Sequence, residues 1–378
     1  MRSTTFAVLA AVFVFGFAAP ARAQEVELSL RPIPDAIAPG QGAFVEVEGT
    51  FPDTCTFGPE GELTFAVNIV PDDRVDAFYR TADPGPCGDA LTFARAVFGP
   101  LPFESTGTTD RMEISFTLER GDGLTGFGET AVDVVDEPPV ATPEAGFWWN
   151  PALSGHGLAL DPQGRDVFGA VYSYDESGQP SWRVFQCRIE GGIVVTELLG
   201  FAGGNCLLCG EPWMAPGLLE DTLPLHLAFE GPAGAWMRIG PEPGLATGLQ
   251  RFHLDPAAQS GVDEIPATVP DLAGEWIQIE GSGPSAAVSS APVRFERLTD
   301  REGEGEVVFG LFENGDVAPT HTLSCSQDQT IAYRACGYAT EIGDPGPPVL
   351  LVPWSGIGAN FIEIEGLDTR FIRLPDSD

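Results

Sequence analysis

Val171-Tyr172-Ser173-Tyr174, then Asp175-Glu176-Ser177-Gly178-Gln179-Pro180, then Ser181-Trp182-Arg183-Val184 is the stretch that decides the fold. Two runs of β-branched and aromatic residues flank a turn built from Asp and Gly, which is the pattern of a β-hairpin. The same grammar continues on both sides. Short strand-like runs cover Gly146 to Trp149, Gly157 to Leu160, Val167 to Tyr174, Ser181 to Ile189 and Ile193 to Leu199. Further runs are Leu225 to Phe229, Trp236 to Ile239 and Leu249 to His253. Eight short strands in sequence suit a β-meander closed into a small barrel or sandwich, since closure removes exposed edges.

Working outward, residues 24–136 also read as strands. Val26-Glu27-Leu28-Ser29-Leu30 and Val45-Glu46-Val47-Glu48 alternate with period 2, and turn pairs such as Pro39-Gly40 and Pro84-Gly85 separate the runs. About seven short strands in a segment of this length is the count of an immunoglobulin-like sandwich. No stretch holds a 3.6-residue apolar period long enough to argue for a helix. Two Pro-rich linkers, 137–145 and 256–271, bound the meander module at 146–255. Residues 272–378 open with Leu272-Ala273-Gly274-Glu275-Trp276, an echo of Glu144-Ala145-Gly146-Phe147-Trp148. They read as a degenerate second copy of the meander module. The fold class is therefore all-β: an immunoglobulin-like sandwich followed by two β-meander modules.

The N-terminus carries an address. Arg2 precedes an apolar run from Thr5 to Ala19, and Ala21-Arg22-Ala23 fits a cleavage site before Gln24. That run is too short to span a bilayer as a helix, so 1–23 reads as a cleaved signal peptide and the mature chain as secreted or periplasmic, with no membrane insertion. Acids number 55 and bases 19, and every base is Arg. The excess is spread along the chain, with 21 acids against 6 Arg in 24–136, 12 against 5 in 145–255 and 18 against 6 in 269–378. A surface acidic throughout repels nucleic acid and anionic membrane, so neither is an expected partner. A GC-rich genome that avoids Lys codons would give a similar composition without any adaptation to salt.

Residues 146–255 resemble a module of exported bacterial proteins of unassigned function. The resemblance rests on three marks: Gly146-Phe147-Trp148-Trp149-Asn150-Pro151-Ala152-Leu153-Ser154-Gly155-His156-Gly157, the hairpin from Tyr174 to Trp182, and Cys206-Leu207-Leu208-Cys209. Gly49 to Cys55 is similar to part of the immunoglobulin-like domain that can precede such modules. After Trp276 the third segment lacks the Asn-Pro and Ser-Gly-x-Gly of the pattern. The resemblance implies a secreted β module and supplies no activity, catalytic residue, cofactor or metal.

Seven cysteines in an exported chain should be mostly paired. Segment separation suggests Cys55 with Cys87 and Cys325 with Cys336. The odd set left is read as Cys206 with Cys209 and a free, buried Cys187; a bond from Cys187 to either loop cysteine is the alternative. The Cys-x-x-Cys loop has no thioredoxin-like βαβ setting, and His226 and His253 are too remote to complete a zinc set. Asp300 to Glu306 is acidic but lacks the calcium-loop spacing, so it reads as a solvated hairpin tip.

Candidate ligand-binding residues are Trp148, Trp149, His156 and Trp182. Exposed tryptophans stack on sugars or anchor protein partners. Alternation sends Trp148 and Trp149 to opposite sheet faces, so at most one belongs in a core; rings filling a barrel floor or packing under a linker are the structural alternative. His156 stands between glycines that suit a close strand approach. Ser154 lacks the Gly-x-Ser-x-Gly elbow of a hydrolase nucleophile. The expected function is a non-catalytic binding protein whose ligand is a protein or a glycan. A hydrolase using Ser154 or His156, and a structural spacer or surface component, are the alternatives.

Overall fold

The computed structural model describes residues 24–374 apart from 59–60, 69–72, 104–109, 141–142, 151–152, 154, 176, 205–214, 220, 242–243, 253–271, 282–286, 289–291, 299–305, 314–315, 327–334, 341–349, 354–355, 359–360, 365–366 and 368. Most of it is strand, and no α-helix occurs among the described residues. The structure is all-β, as the alternation predicts.

The first unit holds β1 (Glu25–Ile33), β2 (Ala36–Ile37), β3 (Ala43–Phe51), β4 (Glu62–Asn68), β5 (Arg74–Thr81), β6 (Thr92–Leu101), β7 (Arg111–Arg120) and β8 (Thr125–Val134). β1 serves two sheets: Glu25 to Glu27 run parallel to β8, and Leu28 to Ile33 run antiparallel to β3. One layer continues β3–β6, the other β8–β7–β5–β4 with β2 beside β8. Between them lies a core that includes Val45, Val47, Phe51, Phe98, Ile114, Phe116 and Leu118. β5 runs parallel to β7, a pairing that the expectation of an all-antiparallel immunoglobulin sandwich does not include.

The second unit holds β9 (Gly146–Trp149), β10 (Gly157–Gln163), β11 (Asp166–Tyr174), β12 (Pro180–Arg188), β13 (Ile193–Leu198), β14 (Phe201–Ala202), β15 (Gly217–Leu218), β16 (Leu223–Phe229), β17 (Gly234–Ile239), β18 (Gly244–Leu245) and β19 (Thr247–Arg251). Eight of these pair in the order β12-β11-β10-β9-β19-β17-β16-β13, all antiparallel. Val184 and Leu199 exchange backbone hydrogen bonds of 2.9 and 2.7 Å, joining β12 to the end of β13. The sheet therefore closes as an up-and-down barrel, and eight strands leave an interior that side chains can fill. Trp148, Leu158, Leu160, Val171, Phe185, Leu225, Leu227 and Phe229 fill it.

The third unit holds β20 (Gly274–Glu280), β21 (Ala287–Val288), β22 (Val293–Arg297), β23 (Glu306–Glu313), β24 (His321–Ser326), β25 (Ala335–Thr340), β26 (Leu350–Pro353), β27 (Phe361–Ile364) and β28 (Thr369–Arg373). Its order, β26-β25-β24-β23-β22-β20-β28-β27, is the same meander with its first strand beside its last. The echo between the two segment starts has a shared physical basis. The indoles of Trp148 and Trp276 donate to the carbonyls of Glu144 and Leu272, each four residues back, at 3.1 and 2.9 Å. Both rings are buried, and each faces an arginine of the last strand in register, Arg251 or Arg373. The two guanidinium groups occupy the space where Gly146 (φ +123) and Gly274 (φ +139) carry no side chain. Any Cβ at either glycine would be strained and crowded against the arginine.

The sandwich and the first barrel are joined directly. β18 pairs with β6, Gly244 opposite Gly99 and Leu245 opposite Phe98. Ile33, Phe44 and Val97 pack with Ile193, Ala228 and Ala246, with Trp236 against them. Arg31 and Arg95 both reach Glu46 and Glu230. The Trp236 indole donates to Glu230 at 2.8 Å, and Arg95 lies over its ring. From the segment before β9, Val140 packs on the barrel core, and Glu144 N donates to Pro232 O at 2.9 Å.

Cys55 is bonded to Cys87 and Cys325 to Cys336. The loop of the first disulfide is anchored by Arg120, whose buried guanidinium donates to Asp53, Asp122 and the Thr56 carbonyl. Hydrogen bonds from Arg120 hold the Asp53 and Asp122 carboxyls below their ordinary value of about 3.9. Their stabilisation is full above that unfolded value and disappears as pH falls through the depressed folded values. Arg120→Met leaves two carboxylates without their cation and should cost about 3 kcal/mol at pH 7. In denaturant titrations from pH 7 to pH 2, the variant should also lose less stability on acidification than the wild type.

Candidate functional site

Strict alternation divides the β9–β12 wall into two faces. Trp148, Leu158, Val171 and Phe185 point inward. Phe147, Trp149, Phe168, Tyr172, Tyr174 and Trp182 therefore project from the outer face. The ladder aligns Trp149 with Gly157, Gly157 with Tyr172 and Tyr172 with Trp182. One row below, Phe147, Ala159, Ala170 and Val184 align in the same way. The result is a platform of large rings separated by Gly and Ala. Trp182 is 55% exposed, Phe147 54%, Phe168 49% and Tyr172 45%.

The excursion between β13 and β16 extends this platform. β14 and β15 form a two-stranded ribbon in which Phe201 pairs with Leu218. Phe201 stacks on Trp182, the ring centres 6.4 Å apart and the planes 25° from parallel. Arg183 fixes the base of the ribbon by donating to the Asp221 carbonyl and to its carboxylate at 2.8 Å. That donation lowers the Asp221 carboxyl from its ordinary value.

Two of the marks singled out in the sequence meet at the top of the platform. Gly155 has φ +84, and a Cβ there would come within 2.6 Å of the Tyr174 hydroxyl, so the glycine provides room for the ring. His156 stands edge-to-face with Tyr174 at 5.6 Å. The hairpin tip between Tyr174 and Trp182 is ordered by Asp175. Its Oδ1 accepts from Ser177 N at 2.9 Å, Ser177 Oγ at 2.6 Å and Gln179 N at 2.9 Å. Those bonds, the Ser177 hydroxyl first, lower the Asp175 carboxyl.

The sequence candidates divide accordingly. Trp148 is corrected: it is 1% exposed and fills the barrel interior, so it presents nothing to a ligand. Trp149 is half-buried at the edge of the platform, edge-to-face with Phe252. His156 and Trp182 are exposed on the same wall. Phe147, Phe168, Tyr172 and Phe201 were not singled out. The available signal was the i, i+2 aromatic spacing of Phe147 with Trp149 and of Tyr172 with Tyr174. Ser154, Cys206 and Cys209 lie outside the described residues. Cys187 is a free, half-buried thiol packed against the barrel core, and burial pushes it up to about 11. Asp53, Cys55 and Cys87 lie close together, but the two sulfurs are bonded to each other and Asp53 is held by Arg120, so the group is not a metal site.

The third unit serves as an internal comparison. Register places Glu275 and Arg294 where the first barrel has Phe147 and Ala159, since Glu275 pairs with Arg294 beside the buried Trp276. A meander of this kind does not require rings on that face. Comparison of the chain with protein-family models and with curated proteins gives no match.

These placements are checked by acrylamide quenching of indole fluorescence. Trp182→Phe should lower the quenching constant, because it removes an accessible indole; Trp148→Phe should not lower it. The Cys187 thiol should resist iodoacetamide at pH 8 in the folded protein and react at once in denaturant, because a thiol titrating near 11 carries little thiolate at pH 8.

Proposed function

We propose that this is an exported, non-catalytic binding protein whose outer aromatic wall on β9–β12 holds a protein or glycan ligand. The observation that carries the reading is the exposed row of rings Tyr172, Trp182 and Phe201, with the half-buried Trp149 at its end, on a barrel whose core is already filled. Contiguous exposed apolar surface on a folded chain marks an interaction site. The strand order supports the reading further. On the outer face of β13, β16 and β17 the apolar residues Ile193, Ala228 and Trp236 pack against the sandwich. The aromatic face lies on the other arc of the same ring of strands, where Phe147, Tyr172 and Trp182 are exposed.

Export is part of the proposal. The two disulfides are compatible with an extracellular location. Among the described residues no helix is long and apolar enough to cross a membrane. Cleavage after Ala23 gives a mature chain beginning at Gln24, and N-terminal sequencing of protein recovered from periplasm or medium checks it. An immunoglobulin-like character for residues 24–136, and a relation to exported bacterial modules for 146–255, belong to the same reading.

The binding test uses the mature protein on columns carrying envelope polysaccharides or envelope proteins. Tyr172→Ala with Trp182→Ala should abolish retention on whichever column holds the wild type, whereas His156→Ala should abolish no hydrolytic activity. Retention untouched by the double variant, or a hydrolytic activity lost with His156→Ala, would overturn the proposal.

A further inference from the structure

Resting on that reading, we infer that the ligand of the aromatic wall is an uncharged polysaccharide chain laid across the strands. Two observations select this chemistry. The first is shape. Adjacent strands lie about 4.8 Å apart, so Trp149 to Trp182 spans three spacings, or about 14 Å. Phe201 adds 6.4 Å beyond Trp182. The row from Trp149 to Phe201 is thus a strip about 20 Å long, with Gly157, Ala159 and Ala170 as its low floor, on a face that Phe168 below and Tyr174 above extend to about 20 Å along the strands. A face of about 400 Å² is half of the roughly 800 Å² that a stable protein partner covers, and rings separated by Gly and Ala suit a linear chain with flat C–H faces.

The second observation is charge. The outward residues in the rows of Trp182 and Phe147, namely Phe147, Trp149, Gly157, Ala159, Ala170, Tyr172, Trp182 and Val184, include no charged group, and in the next row the one charged neighbour of Phe168 on β10 is a carboxylate, Asp161. The chain as a whole carries a formal charge of −36. A sulfated or uronate polymer would approach against that field and find no cation in the strip to receive it.

The experiment is native affinity electrophoresis of the mature full-length protein in gels containing hydroxyethylcellulose, xylan or mannan, against gels containing alginate or heparin. Retardation is expected in at least one neutral gel and in neither anionic gel. Trp182→Ala should weaken it at least tenfold in apparent affinity, the loss expected of a central aromatic anchor, while Trp182→Tyr should keep most of it. Trp182 is exposed, so both variants should fold, and unchanged thermal unfolding checks this. Retardation confined to the anionic gels, or equal for wild type and Trp182→Ala, overturns the inference. No retardation in any neutral gel also overturns it. In that event, capture of an envelope protein that Trp182→Ala abolishes leaves the wall a binding site for protein, and failure of that capture as well removes the binding function itself.

Discussion

Register is the constraint on which the rest of this structure depends. In a barrel whose side chains alternate strictly, sliding one strand by one residue exchanges its entire inner and outer sets. β9 is only four residues long and carries Phe147, Trp148 and Trp149 in succession, so hydrophobicity alone does not choose which ring turns inward. The choice is made by the indole bond from Trp148 to the Glu144 carbonyl and by the arginine filling the space at Gly146. With Trp148 fixed inside, Leu158 and Val171 follow inward across the ladder, and Phe147, Trp149, Tyr172 and Trp182 are fixed outside. The same lock recurs at Trp276, Gly274 and Arg373, where Glu275 and Arg294 take the outward positions held by Phe147 and Ala159 in the first barrel. The lock thus sets which face is outside and leaves the chemistry of that face free to differ.

The junction with the sandwich decides which arc of the barrel meets solvent. Ile193, Ala228 and Trp236 project outward from β13, β16 and β17, and Ile33, Phe44 and Val97 close over them. Glu46 and Glu230 are nearly out of reach of water and would be costly there alone; Arg31 and Arg95 offset them, and Trp236 occupies a remaining acceptor site of Glu230. Such a junction holds the barrel at a fixed angle to the sandwich, and the β9–β12 wall faces away from the covered arc.

Much of the fold could be read from residues in order, and much of the site could not. The Tyr174-to-Trp182 hairpin, the all-β class and the two disulfides within single segments follow from local pattern, because turns and alternation are written in adjacent residues. The opposite orientation of Trp148 and Trp149 follows too, but not which of them is inside. That depends on Glu144, Gly146 and Arg251, a set drawn from both ends of the module. The platform was missed for the same reason. Tyr172 and Trp182 are ten positions apart and Trp149 is farther still, so their alignment exists only once strand pairing is known. The parallel β5–β7 pair and the β18–β6 junction lie further beyond sequence reasoning, since each is a long-range contact with no local signature.

The acidic surface and the aromatic wall make sense together. An uncovered strip of rings is a liability for a chain at high concentration, because two copies could bury their strips against each other. Like charge opposes that encounter: each copy carries −36, and at physiological ionic strength the repulsion acts over about 8 Å, enough to reach across a closing interface. The strip is also the part of this wall where carboxylates are missing. A neutral ligand approaching it meets no repulsion, while a second copy brings its full charge. An acid excess spread over all segments, together with a charge-free aromatic strip, therefore favours one kind of contact and disfavours the other.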